Sequence, residues 1–227
     1  MGCGASAGKY SIAESSSDSN AQPEAPAWIA LPAITSAPRA NPSASLHMKM
    51  LQYPSAVSLE DFECSSVLGR GKFGEVVLAQ HKEDSLFYAL KKISKVQMVE
   101  RKNKDSVTSE ITNLMRIRHP FVAHLFGFFQ DDRHVTLVLE YCCGGELFNR
   151  LKHRTRFSPD EAKFYITEIA LALDFLQSPP LSMVYRDLKP ENVMLSSAGH
   201  VRLVDFGFAV PLNADGDSIT GGCGTAM

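Results

Sequence analysis

The sequence predicts an α+β fold, in which a small sheet-rich part precedes a helical part. One observation is a series of segments rich in Val, Leu and aromatic residues, separated by Gly-rich or charged turns, which is typical of strands. The other is a change to helical patterning after Gly144 and Gly145. Five strands are predicted, over residues 62–68, 75–80, 87–93, 121–129 and 134–140.

Two helices are predicted, one in each part. Residues 104–117 carry an apolar stripe at helical spacing, formed by Ile111, Leu114 and Met115. Further along, Ser158-Pro159-Asp160-Glu161 is a capping box with proline at the first helical position, so a helix is expected over residues 159–176. Two short strands are expected after it, over residues 193–195 and 201–204.

The composition indicates a soluble protein and excludes several other classes. Of 227 residues, 44% are hydrophobic and 21% are charged, which is typical of globular proteins. No stretch approaches the roughly 20 apolar residues that span a bilayer, and the first residues lack the apolar core of a secretory signal. The five scattered cysteines predict reduced thiols of a cytoplasmic protein. The net charge of −2 by itself argues neither for nor against nucleic acid, and no nucleic-acid partner is predicted.

Residues 1–56 are predicted to form a disordered tail, because a composition rich in Ser, Ala and Pro cannot bury enough apolar surface to offset its ordering entropy. The first six residues, Met1-Gly2-Cys3-Gly4-Ala5-Ser6, fit the pattern for N-myristoylation of Gly2. Cys3 is available for palmitoylation, and two acyl chains would give a stable membrane anchor where one would not. Gly2 and Cys3 are therefore predicted lipidation sites. An unmodified N-terminus of small residues is the alternative.

A glycine-rich segment, Gly69-Arg70-Gly71-Lys72-Phe73-Gly74-Glu75-Val76, lies between two predicted strands. Glycines at this spacing let the backbone close over phosphates, because a Cβ would clash and block the amide groups. A dinucleotide-binding fold has the same G-x-G-x-x-G pattern, but there a helix follows the glycines. Here residues 76–78 continue as a strand, which favours a hairpin lid over phosphates. An ordinary Gly-rich hairpin is the alternative.

Lys91 is the predicted phosphate-binding cation. The alternation of the third strand places Ala89 and Lys91 on one face, which the glycine hairpin covers. Lys92, by contrast, is expected to be a solvated edge residue. A cation in this position needs a carboxylate to hold it, and Glu110 on the following helix is the candidate. An ordinary acid on the helix surface is the alternative for Glu110.

The segment Tyr185-Arg186-Asp187-Leu188-Lys189-Pro190-Glu191-Asn192 is the most informative part of the chain. Its acid and amide are five residues apart across a proline turn, so they can converge on one point. Asp187 would accept the proton of an attacking hydroxyl, and Asn192 would ligate magnesium. Asp205, followed by Phe206 and Gly207, supplies a second hard oxygen ligand, which suits Mg²⁺ bridging phosphates.

Together these residues resemble the protein-kinase signature set, over residues 62–225. The resemblance implies a kinase domain over residues 57–227, with a two-lobed fold and Mg-ATP in the cleft. Its N-lobe, over residues 62–140, would hold the five-stranded sheet and one helix, and residues 141–227 would form an incomplete helical C-lobe. The implied catalytic residues are Lys91 paired with Glu110, Asp187 as the base, and Lys189, which would steady the transferring phosphoryl group.

Finer features resemble the AGC group of Ser/Thr kinases, especially the cAMP- and cGMP-dependent ones. Tyr185 takes the usual histidine position, and Leu114, Leu125, Tyr185 and Phe206 match a hydrophobic spine. Glu146 and Glu191 match positions that hold substrate arginines, which implies protein substrates with Ser or Thr near basic residues. The implied ATP-binding residues are Leu68, Gly69, Arg70, Gly71, Lys72, Phe73, Gly74, Glu75, Val76, Ala89, Lys91, Glu140, Cys142, Glu146 and Met194.

The resemblance ends at Thr225, and the sequence ends at Met227, before the Ala-Pro-Glu anchor and the later helices that the family would lead one to expect. Without those helices, the helix from Pro159 is expected to expose a broad apolar face. The usual phosphothreonine position is Gly221, with Thr220 one residue away. Two functions therefore stay open: a Ser/Thr protein kinase, or a non-catalytic nucleotide-binding or partner-binding protein. Regulation by cyclic nucleotides would require another chain, so a regulatory subunit is a predicted partner.

Overall fold

The computed structural model describes residues 58–71, 74–100 and 104–212. Their contacts divide the chain into two units. The first contains the residues up to 100 together with Phe126–Val138, and the second contains residues 104–125 and 139–212. Several predictions lie outside the described residues, namely those on the 1–56 tail, Gly2, Cys3, Lys72, Phe73, Thr220 and Gly221. The predicted domain limits stay a prediction.

The first unit is built on a five-stranded sheet. Its strands are β1 (Phe62–Gly71), β2 (Gly74–His81), β3 (Phe87–Ser94), β4 (Leu125–Gln130) and β5 (His134–Glu140). They lie in the order β1-β2-β3-β5-β4, with β1–β2 and β2–β3 antiparallel. A helix, α1 (Lys95–Glu100), follows β3 directly. The predicted α+β class and five-stranded sheet are confirmed, and α1 is an additional element.

One face of this sheet carries the apolar core of the first unit. A cluster of buried residues on it consists of Phe62, Ala79, Tyr88, Leu90 and Val138, with Phe126 and Phe129 packed against it. The Tyr88 and Phe126 rings meet edge to face, with centroids 5.1 Å apart, a favoured geometry for aromatic pairs. The segments rich in Val, Leu and aromatic residues that predicted the strands therefore supply this core.

The second unit holds the longer helices and two small sheets. Its helices are α2 (Lys104–Arg116), α3 (Leu147–Arg154) and α4 (Pro159–Gln177). One sheet joins β6 (Gly145–Glu146), β8 (Val193–Leu195) and β9 (Val201–Leu203), and β7 (Met183–Val184) pairs with β10 (Val210–Pro211). The predicted apolar stripe of α2 is largely buried, with Ile111 fully covered. No helix among the described residues is long and apolar enough to cross a membrane.

Helix α4 begins as the sequence predicts. The Ser158 hydroxyl accepts from the backbone N–H of Glu161, and the Glu161 carboxylate accepts from the Ser158 N–H, which completes the capping box. One face of the helix buries Tyr165, Ala172 and Leu176. The helix also exposes large apolar side chains: Phe164 at 44%, Ile166 at 64% and Leu171 at 50%.

Two of the predicted strand limits are wrong because the backbone there bonds to a different segment. The fourth strand begins at Leu125 instead of residue 121, because residues 121–123 bond to β9. The backbone N–H of Leu203 donates to the Phe121 carbonyl, and the N–H of Ala123 donates to the Leu203 carbonyl, both at 2.9 Å. Strand β9 itself ends at Leu203, since the N–H of Val204 donates to the carbonyl of Asn192.

Candidate active site

The glycine-rich segment forms the turn end of the β1–β2 hairpin. Gly71 pairs with Gly74 across the hairpin, and a strand follows the glycines, which argues against the dinucleotide-binding alternative. Gly74 has φ of 153°, and a Cβ there would lie 1.9 Å from the Lys92 carbonyl oxygen. Only glycine fits this position. Of the other predicted nucleotide-binding residues here, Leu68 is 44% exposed and Arg70 lies 3.7 Å from the Glu75 carboxylate.

Lys91 lies on the sheet face opposite the apolar core. It is directly across from Val76, and Ala89 is directly across from Leu78. Because facing residues of antiparallel strands project from the same side, Val76, Ala89 and Lys91 share one face. Leu90 projects from the other side and is fully buried. Lys91 and Glu110 belong to different units, and their pairing stays a prediction.

Asp187 is a buried acid of the second unit that two neighbouring side chains hold. It is only 5% exposed, and its Oδ2 lies 3.0 Å from Lys189 Nζ. The Asn192 side-chain amide donates to the same Oδ2 at 2.7 Å and to the Asp187 carbonyl at 2.9 Å. A short 3₁₀ turn, Pro190–Asn192, brings the amide back toward the acid. A cation and an amide donor therefore offset the burial of this carboxylate.

Tyr185 and Arg186 tie this loop to the segment that contains Asp205. The Tyr185 hydroxyl donates to the Val204 carbonyl at 2.5 Å, and its ring centroid lies 5.0 Å from that of Phe206. Burial, and then the negative charges of nearby Asp205 and Asp187, raise the pKa of Tyr185 far above its usual value. The Arg186 Nε donates to the Phe208 carbonyl at 2.7 Å. The Tyr185 and Phe206 members of the predicted spine are in contact.

The two predicted metal ligands lie on adjacent segments. The backbone carbonyl of Asn192 accepts from the N–H of Val204, one residue before Asp205, at 3.1 Å. Asp205 itself is exposed. Residues 58–71, 74–100 and 104–212 contain no cluster of three or more His, Cys, Asp or Glu side chains that could bind a metal ion. An amide and one carboxylate fit Mg²⁺, which keeps waters and takes further oxygens from substrate phosphates.

The carboxylates of Glu110 and Asp205 both lie close to Gly207. A Cβ added at Gly207 would lie 3.4 Å from Asp205 Oδ1 and 3.8 Å from Glu110 Oε2. Glu110 is only 5% exposed, so its alternative interpretation as an ordinary surface acid is wrong. No sequence pattern indicates the role of a neighbour on the same helix, Ser106, whose hydroxyl donates to the Gly207 carbonyl.

The other predicted nucleotide-binding positions lie in residues 140–146 and at Met194 in β8. The Glu140 carboxylate accepts from Arg202 Nε at 2.7 Å, a partner that the sequence did not indicate. Cys142 is buried, and this burial, with the charge of Glu140, raises the pKa of its thiol to about 12. Glu146 and Met194 face each other across β6 and β8. Glu191, a predicted substrate residue, is exposed.

His124, which precedes β4, is expected to make stability depend on pH. Burial, and then the charge of Arg118, lower its pKa from 6.5 to about 4. Between these values the unfolded chain binds a proton that the folded chain does not, so acid lowers the free energy of unfolding. We expect the free energy of unfolding of His124→Gln, measured by urea unfolding, to fall less between pH 6.5 and 4 than that of the unmodified chain. An unchanged pH profile would contradict the shift, and His153→Gln, on an exposed residue, is the control.

Comparisons with known proteins identify the family. Residues 62–227 match the protein kinase domain model. The chain is 45% identical over 152 residues to a cAMP-dependent protein kinase catalytic subunit of Arthrobotrys oligospora, covering 67% of this chain and 29% of the relative. It is 42% identical over 163 residues to cAMP-dependent protein kinase type 3 of Saccharomyces cerevisiae, covering 70% of this chain and 40% of the relative. It is 41% identical over 171 residues to serine/threonine-protein kinase Sgk1 of Danio rerio, covering 75% and 39%.

The chain thus spans well under half of the length of each of these relatives. The match nevertheless extends over most of this chain, and it includes the glycine hairpin, the lysine strand, the Asp187 loop and the Asp205 segment. This chain belongs to the protein kinase domain family.

Proposed function

We propose that this chain carries the nucleotide-binding and catalytic-loop part of a Ser/Thr protein kinase, which transfers the γ-phosphoryl group of ATP to Ser or Thr hydroxyls. The observation that carries the proposal is the buried Asp187 carboxylate, bonded to Lys189 and to the Asn192 amide. A carboxylate fixed in this way, beside an exposed Asp205, is suited to accept a hydroxyl proton. The names of the relatives in the family support the same reaction class.

The residues divide into roles along the reaction. Asp187 accepts the hydroxyl proton as the new oxygen–phosphorus bond forms, while the bond between the γ-phosphorus and the oxygen bridging it to the β-phosphate breaks and ADP leaves. Lys189, whose ammonium lies 3.0 Å from Asp187, offsets negative charge on the transferred group. Asn192 and Asp205 would hold Mg²⁺, which when bound neutralises charge on the phosphates. Lys91 and the glycine hairpin would bind those phosphates.

Nucleotide binding and phosphotransfer by the full chain test the proposal together. We expect a fluorescent ADP analogue to bind with an affinity that rises with Mg²⁺. We also expect transfer of labelled phosphate from ATP to a mixed Ser/Thr peptide pool. Absence of both would refute the proposal.

A second candidate function is non-catalytic binding of a nucleotide or a protein partner. Phe164 and Leu171, which lie on the same side of α4 and are 44% and 50% exposed, favour it, because exposed apolar side chains that lie together mark contact surfaces. Mg²⁺-dependent binding without transfer by this chain, but with transfer by a longer form, would identify it as part of a larger kinase. Binding without transfer by either form would favour this second candidate.

We further propose a preference for substrates with Arg or Lys before the phosphorylated residue, based on Glu146 and Glu191. Glu191 is exposed, and the Glu146 carboxylate accepts from the Asn149 amide at 3.1 Å. We expect Glu146→Gln with Glu191→Gln to raise KM for an Arg-containing peptide about fivefold, since exposed ion pairs contribute up to about 1 kcal/mol. Glu83→Gln, on an exposed turn, is the control. A preference for acidic or proline-directed peptides would contradict the proposal.

The remaining proposals concern partners. Two relatives are named as cAMP-dependent protein kinases, which supports a regulatory subunit as a partner of this chain. Acylation at Gly2 and Cys3, and membrane anchoring through it, lie outside the described residues and stay predictions.

A further inference from the structure

Two side chains of helix α2 hold the backbone that follows Asp205. The Ser106 hydroxyl donates to the Gly207 carbonyl at 3.0 Å, and the Asn113 side-chain amide donates to the Ala209 carbonyl at 3.2 Å. The donors are two helical turns apart, so they lie on the same side of α2. Their acceptors are two residues apart in a turn, in which the Ala209 N–H donates to the Phe206 carbonyl at 3.0 Å, and each donor meets one carbonyl. We refer to Ser106 and Asn113 as the α2 pair.

Burial indicates that the Asn113 contact is specific. Asn113 is 6% exposed, and its partner Ala209 is 4% exposed. Asparagine is a poor residue for a helix interior, and a buried amide without a partner is strongly unfavourable. An apolar side chain would satisfy packing alone at this position. The asparagine amide adds a hydrogen bond to the buried Ala209 carbonyl, which an apolar side chain could not make.

The Ser106 contact lies beside the predicted metal ligand. A Cβ added at Gly207 would lie 3.9 Å from the Ser106 hydroxyl, as well as 3.4 Å from Asp205 Oδ1. Gly207 has no side chain by which packing could fix it. Its carbonyl is therefore the group through which α2 can hold this position.

Backbone contacts also constrain the segment that carries Asp205. Its side chain is exposed, and its φ of 60° lies in the left-handed region, which non-glycine residues adopt only when the surroundings hold them there. On its C-terminal side, the bonds to Gly207 and Ala209 from the α2 pair join the bond from Arg186 to Phe208. Three consecutive carbonyls are thus held by side chains from outside the segment.

We infer that Ser106 and Asn113 are positioning residues, which hold the backbone so that the Asp205 carboxylate is in place for Mg²⁺. The inference rests on the proposed function, because it takes Asp205 as a metal ligand. The pair acts through the backbone, so it tunes the contribution of Mg²⁺ to nucleotide affinity. It leaves the affinity for metal-free nucleotide unchanged.

The test measures ADP affinity with and without Mg²⁺ for the full chain and its variants. We expect Asn113→Leu to reduce the increase in ADP affinity caused by Mg²⁺ about tenfold, because it leaves the buried Ala209 carbonyl without the Asn113 amide as donor. Ser106→Ala should reduce it less, since Ser106 is half-buried, and Ser106→Thr should restore it. The control is Thr112→Val on the same helix, where the hydroxyl bonds only within α2, to the Thr108 carbonyl. In the metal-free chain, hydrogen exchange over residues 205–210 should be faster in Asn113→Leu and Ser106→Ala than in Thr112→Val.

The outcomes separate the two proposals. No enhancement by Mg²⁺ in the unmodified chain overturns the proposed function and the positioning role with it. If Mg²⁺ raises the ADP affinity of the unmodified chain, and raises it equally in Asn113→Leu and Ser106→Ala, the positioning role alone is overturned. Equal weakening with and without Mg²⁺ in both variants also overturns it, because that pattern is a general loss of structure. Should Asn113→Leu fail to fold, Ser106→Ala with its Ser106→Thr rescue decides.

Discussion

Replacing Asp187 with asparagine is expected to lower the phosphotransfer rate by about 10² to 10⁴-fold, the usual contribution of a positioned general base. The amide of the new residue cannot accept the proton of the attacking hydroxyl. Its oxygen can still accept from Lys189 Nζ and from the Asn192 amide, which both bond to Asp187 Oδ2. The loop should therefore keep its shape, and ADP affinity in the presence of Mg²⁺ should change little.

Single-turnover transfer to a peptide and equilibrium ADP binding are the two measurements. Asp174→Asn, on an exposed position of α4, provides the matched control and should transfer phosphate at the unmodified rate. A variant at Asp187 that retained more than about a tenth of the rate would contradict its role as the base. A parallel loss of ADP binding would instead indicate that the loop had lost its structure.

Much of the fold follows from local patterns in the sequence. Segments rich in Val, Leu and aromatic residues predict strands because such residues form the core of the first unit's sheet. The capping box at Ser158 predicts the start of α4 because its bonds are local. Helix α3 is not predicted, since its N-cap residue Glu146 makes no side-chain capping bond. The start of the fourth strand is missed because residues 121–123 bond to β9, some 80 residues away.

The difference between local contacts and contacts distant in the sequence also applies to the candidate site. Asp187, Lys189 and Asn192 lie within six residues, so a single turn brings them together and the sequence predicts the convergence. Arg202, by contrast, meets Glu140 across 62 residues, and Asn113 meets Ala209 across 96. The residues next to a polar side chain in the sequence do not indicate which distant residue it contacts. Tertiary contacts of single polar side chains are therefore the part that required coordinates.

Replacing Asp205 with asparagine is expected to remove most of the enhancement of ADP affinity by Mg²⁺ and to lower phosphotransfer by about 10² to 10³-fold. The carboxylate is the only charged group of the two proposed ligands, and charge stabilisation by a bound metal contributes several kcal/mol to such reactions. Affinity for ADP without Mg²⁺ should stay the same or rise, because a negative charge near the phosphates is removed. A Mg²⁺ titration of ADP binding, followed by single-turnover transfer, measures both effects.

Asparagine is the right replacement because it separates ligation from folding. The backbone of Asp205 has φ of 60°, a region that asparagine tolerates better than most residues. Its side chain is exposed, so the change leaves no cavity and buries no polar group. The free energy of unfolding should therefore match that of the unmodified chain, and Asp132→Asn on an exposed turn controls for lost surface charge. A variant that folds normally and still binds ADP more tightly with Mg²⁺ to the original extent would exclude Asp205 as the metal ligand.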